Sequence, residues 1–148
     1  MNDLIESLRK QRVALLTTLE GLTDEQSTVP TGVSTMALLG IVQHLSYVER
    51  RWIFMGADGQ QLDGIYPPDR EKEFGVAGVS IDDVVSAYVA VAEESDRILG
   101  SFASGDEPGR SRMGLPARQI ALHLIEETAA HAGQAAIIRE AIDGKTGD

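Results

Sequence analysis

Ile120-Ala-Leu-His-Leu-Ile-Glu-Glu-Thr-Ala-Ala-His-Ala-Gly-Gln134 is the stretch from which the fold is read. Steps of three and four through it and beyond give Ile120, Leu124, Glu127, His131, Ala135, Ile138 and Ile142. This is one face of an α-helix, apolar except for a carboxylate and an imidazole one turn apart. A charge in a core stripe is costly unless it is paired or coordinates a metal. An earlier segment carries the same kind of interruption: His44 lies on the stripe Ala37, Ile41, His44, Val48, Trp52. Two histidines and a glutamate converging between helices describe a divalent-metal site with an open coordination position. Zinc suits such donors, and nickel, cobalt or manganese could also occupy them.

The spacing alone leaves alternatives open. Glu127 and His131 could be an i,i+4 pair shared with solvent, and His44 a hydrogen-bonded core histidine. His123 also lies four residues before Glu127, so His123/Glu127 is a second candidate pair. His123 and His131 are eight apart, about 12 Å along a helix, so one ion cannot take both. Glu126 points about 100° away from Glu127 and reads as a solvated carboxylate. Gln134 is either a hydrogen-bond donor behind His131 or simply a polar residue at the bundle end. Trp52 is a core anchor or an aromatic wall beside the pocket. Arg139 with Glu140 reads as a surface ion pair. Arg50 and Arg51 read as solvent-exposed, with steering of an anionic substrate as their functional alternative.

The whole chain, residues 1–148, is expected to be a single domain with room for a sizeable core. The acidic, amphipathic start Met1-Asn-Asp-Leu-Ile-Glu is unlike a signal peptide. The apolar run from Thr35 to Val42 is too short to span a bilayer. A net charge of −10 with one basic pair, Arg50-Arg51, argues against nucleic acid as a partner. Together these predict a cytoplasmic protein with neither nucleic-acid nor membrane partners. There is no cysteine, so a disulfide framework, a thiolate metal site and a cysteine nucleophile are all excluded. Any thiol chemistry must use a thiol brought by a small molecule.

Four helical segments are expected. The first covers about Asp3 to Glu20, with Leu4, Leu8, Leu15 and Leu19 inward and Gly21 as its stop. Thr23-Asp-Glu-Gln26 reads as a capping box for a short turn. Ser34 is the expected N-cap of a second helix through Met55, closed by Gly56. Residues 56–79 show no helical period; a loop of this length with Ile65, Tyr66 and Phe74 is expected to wall or cover the pocket. Ser80 with Asp83 opens a third helix to about Phe102, with Val84, Val91 and Leu99 inward. Pro116 lies near the start of the last helix, and Gly144 ends it. Four antiparallel helices around one core are the natural packing, and apolar residues left over on outer faces, such as Val85, Val89 and Leu122, suggest a homodimer.

Leu38-Leu-Gly-Ile-Val-Gln-His-Leu-Ser-Tyr-Val-Glu-Arg-Arg-Trp52 and His123-Leu-Ile-Glu-Glu-Thr-Ala-Ala-His-Ala-Gly-Gln-Ala-Ala-Ile-Ile-Arg-Glu-Ala-Ile-Asp-Gly144 resemble the two signature segments of the DinB-like superfamily. They are most similar to its actinobacterial branch of mycothiol-dependent S-transferases and the metal-binding domain of mycothiol-dependent maleylpyruvate isomerase. The resemblance implies an all-α, up-down-down-up four-helix bundle and a metal held by His44, Glu127 and His131. One departure is Ala130-His-Ala-Gly-Gln-Ala-Ala136, where related sequences often read Arg-His-Ala-Gly-His-Ala-Asp. The activity implied is a divalent-metal-dependent transfer of a small-molecule thiol, mycothiol, to small electrophiles in detoxification. Metal coordination would deprotonate a thiol whose free pKa is about 8.5. The alternatives are a metal-dependent hydrolase, with water as nucleophile at the same position, and a non-catalytic, stress-related metal-binding bundle.

Overall fold

In a computed structural model, which describes residues 1–62 and 70–147, six helices form: α1 (Asn2–Thr17), α2 (Asp24–Thr28), α3 (Leu38–Glu49), α4 (Arg70–Phe74), α5 (Ile81–Gly100) and α6 (Ala117–Asp143). α3 continues without a break into a π-helical segment, Arg50–Ala57. Side-chain contacts fix the direction of each long helix. Met1 and Arg118 flank Gly105, and at the far end Arg139 donates to the Thr18 and Glu20 carbonyls, so α1 and α6 run parallel. His44 meets His131 and Trp52 meets His123, so α3 opposes α6. Arg110 ties Asp58, just past the π segment, to Ser101, just past α5; α3 and α5 are therefore parallel. This is the up-down-down-up bundle.

The expected stripes face inward: Leu8 and Leu15 from α1 with Leu19 in the turn after it, Ile41 and Val48 from α3, Val84 and Leu99 from α5, Ile120, Leu124 and Ile138 from α6. Leu4 and Val91 are only part-buried. The caps at Ser80, whose Oγ accepts from Asp83 N at 3.1 Å, and at Gly144, with φ 77°, follow the sequence reading. So does the Thr23–Gln26 capping box. The second helix departs from expectation. Ser34 accepts from Met36 N in a local turn, and the helix begins only at Leu38 with Ala37 at its N-cap. It ends at Ala57, close to the expected Met55, but its last eight residues take the π form. Residues 56–79 are not all loop either, since α4 forms within them. Gly40 lets α4 approach, because a Cβ there would stand 2.5 Å from the Phe74 carbonyl oxygen. Of the apolar residues in this stretch, Ile65 and Tyr66 lie outside the described residues. Val85 packs partly on the core, while Val89 and Leu122 remain exposed. No described helix is long and apolar enough to cross a membrane.

A charged cluster sits inside the apolar layer. Arg12 (α1) forks onto Glu49 (α3), with Nε and Nη2 each 2.8 Å from a carboxylate oxygen, and its Nη1 reaches Asp96 (α5) at 2.7 Å. Arg12 is 5 % and Glu49 0 % exposed. Burial opposes the charge on Arg12, but Glu49 and Asp96 outweigh it and hold the guanidinium pKa above its ordinary value. Burial, and then the Glu49 charge, push the Tyr88 phenol well above its usual range. Arg139 is also buried. It binds Asp143 and the two carbonyls after α1 rather than Glu140, which stays exposed.

Candidate metal centre

His44, Glu127 and His131 offer one donor atom each, all within 4.8 Å of one another. The helices place them as the stripes require. His44 faces inward from the middle of α3, and α6 carries Glu127 and His131 one turn apart on the opposing face. His131 Nε2 lies 3.8 Å from Glu127 Oε2. Three donors around one tetrahedral ion with bonds near 2.1 Å stand about 3.4 Å apart, so rotamer adjustments of about 1 Å would close the set. The donor chemistry fits a divalent ion. Burial is graded: His44 is buried, the His131 side chain 19 % and the Glu127 side chain 38 % exposed, so the site opens on the Glu127 side.

Each histidine is oriented by its other nitrogen. His44 Nδ1 is 2.8 Å from Glu73 Oε1, and a carboxylate can only accept, so the proton is on Nδ1 and Nε2 remains for the site. His131 Nδ1 is 3.0 Å from Gln134 Oε1 in the same relation. Gln134 thus stands behind His131 as an acceptor, which is neither the donor nor the unengaged polar residue that the sequence offered as alternatives. Burial is the largest influence on His44: it outweighs the raising effect of Glu73 and holds the ring pKa below its ordinary value. His44 is therefore neutral at pH 7.

Glu73, which contacts the candidate site through His44, has no place in the sequence reading. It also accepts from Arg51 Nη2 at 2.8 Å, so Arg51 is not a solvated cation. Burial alone would raise the Glu73 carboxyl; Arg51 and His44 reverse this and keep it below the usual carboxylate range. The next residue, Phe74, stacks on His44 at 4.4 Å. Gln43 Nε2 pins the segment to α3 by donating to the Glu73 and Gly75 carbonyls, each at 3.0 Å. Residues 73–75 thus form a wall of the site.

His123 is not brought to the donor set. Its ring centroid lies 4.1 Å from that of Trp52, which is itself partly buried against the core, as the core-anchor reading expects. Glu126 is exposed, as expected.

The solved structure of a conserved protein from Enterococcus faecalis superposes with a TM-score of 0.71, covering 97 % of each chain at 12 % identity, which shows the shared fold. No protein of curated function matches the sequence. The mycothiol-S-transferase family matches residues 3–144. On that match over nearly its full length, the chain belongs to the mycothiol-S-transferase family, of DinB-like fold.

Proposed function

We propose that this protein is a divalent-metal-dependent mycothiol S-transferase whose ion is held by His44, Glu127 and His131. The observation that carries the reading is the convergence of these three donors in a family member that has no cysteine of its own. A bound ion, zinc on the donor set, would supply the Lewis acidity that turns a thiol into a nucleophile near neutral pH. The chain's residues do the rest. Glu73 and Gln134 fix the ring tautomers, burial keeps His44 neutral, and Glu127 lowers the net charge of the centre. The Glu127 side leaves room for the thiol and its acceptor.

The transfer forms a carbon–sulfur bond to the electrophile. With monochlorobimane the carbon–chlorine bond breaks, chloride leaves and the thiol proton passes to solvent. Metal-loaded protein with mycothiol and monochlorobimane should give conjugate well above the uncatalysed rate, lose that rate on chelation and regain it with zinc. Equal rates with and without metal would reject the reading, and turnover with water as the sole nucleophile would favour a hydrolase. Glu73→Gln is expected to weaken metal affinity about 10- to 100-fold, since a neutral amide holds the His44 ring less firmly; chelator competition measures this. Unchanged affinity would show that Glu73 does not orient His44.

A further inference from the structure

Gly40 lies in the first turn of α3, one helical turn before His44 and on the same face. Glycine is among the poorest helix formers, so α3 itself gains nothing from it. Its use is in the contact it permits. A Cβ at position 40 would stand 2.5 Å from the Phe74 carbonyl oxygen and 3.4 Å from its carbonyl carbon. On either side of that carbonyl, Gln43 Nε2 takes the Glu73 and Gly75 carbonyls at 3.0 Å each. The backbone of residues 73–75 is thereby seated directly on α3, against Gly40 and Gln43.

The seat places side chains as well. From it, Glu73 Oε1 reaches both His44 Nδ1 and Arg51 Nη2 at 2.8 Å, and the Phe74 ring stacks on His44 at 4.4 Å. An ordinary carbon–oxygen contact is about 3.3–3.6 Å, so a Cβ on residue 40 would drive the Phe74 carbonyl back by about 1 Å. The twelve residues of α3 are mostly buried and hold their place, so the five residues of α4 are the ones that give way. A Glu73 carboxylate carried back with its backbone loses His44, since a contact beyond about 3.6 Å is no hydrogen bond.

We propose that Gly40 is a positioning residue of the metal centre. It allows residues 73–75 to seat on α3, the seated Glu73 holds the His44 proton on Nδ1, and Nε2 is kept as the donor. Seating of the segment and occupation of Nε2 are then linked, each favouring the other by the same factor. The effect on an ion rests on the metal-centre reading; the effect on the His44 tautomer does not.

The test uses Gly40→Ala, with Gln43→Ala as a second way to release the segment and Gly100→Ala as a control whose new Cβ meets nothing. Ring-nitrogen NMR is recorded on metal-free protein, with the His44 signals assigned by their loss in His44→Gln. The parent and Gly100→Ala should show the Nδ1–H form, and Gly40→Ala and Gln43→Ala should shift to the Nε2–H form. Zinc affinity by chelator competition should fall about 10- to 100-fold in Gly40→Ala. The double variant Gly40→Ala/Glu73→Gln should bind zinc no more weakly than Gly40→Ala alone, because both changes act through one hydrogen bond. A Gly40→Ala protein that keeps the parent's tautomer overturns the proposal, as do losses that add in the double variant. A tautomer shift in a protein that binds no zinc would support the role of Gly40 and reject the metal-centre reading alone.

Discussion

Arg12→Met is expected to destabilise the fold by about 3–5 kcal/mol, because it leaves Glu49 charged, unpaired and out of water. Glu49 has no exposure, and the bidentate pair supplies its charge-assisted hydrogen bonds. Urea denaturation followed by circular dichroism would show a lowered midpoint. The double variant Arg12→Met/Glu49→Met should recover much of the loss, since exchanging a whole buried pair for apolar groups is far less costly than breaking it. Asp96 keeps Arg9 as a partner at 2.7 Å in that variant. A single substitution costing under about 1 kcal/mol would place Arg12 among ordinary surface pairs.

The second large effect concerns the proposed donors. His131→Ala should leave the protein folded, since its ring is partly exposed and the apolar stripes define the bundle. Elemental analysis after dialysis should then find metal far below one equivalent, and thiol conjugation should fall to the uncatalysed rate. Glu127→Gln should also keep the fold while weakening metal binding, because an amide is a poorer donor than a carboxylate. Full metal occupancy in His131→Ala, or undiminished conjugation, would remove His131 from the donor set.

Helix phase was the most informative sequence signal. His44, Glu127 and His131 are legible because polar groups on an apolar stripe stand out, and the fold brings their donor atoms together. The same argument applies to Arg12, which interrupts Leu8, Leu15 and Leu19, and to Glu49 between Leu45 and Ile53. The sequence does not pair them, because they lie on different helices and 37 residues apart. Arg139 was paired with its chain neighbour Glu140, although adjacent residues point about 100° apart on a helix. Glu73 gave no such signal: five residues of α4 are too few to display a period, and its meaning depends on a contact 29 residues away. The shift from α to π winding at Arg50 was equally silent, since apolar residues continue across it.

That winding divides the long second helix into two parts that evolution can adjust separately. A π turn holds about one residue more than an α turn, so a single deletion between 50 and 57 can be absorbed by a return to regular winding. His44 lies upstream and would keep its place on α3. The residues facing Ser111 and Leu115 would change, and with them the shape of the cavity between the π segment and the loop before α6. Chains of this family can therefore change length at this point without moving His44, and alignments of its members should show one-residue gaps here more often than within residues 38–49.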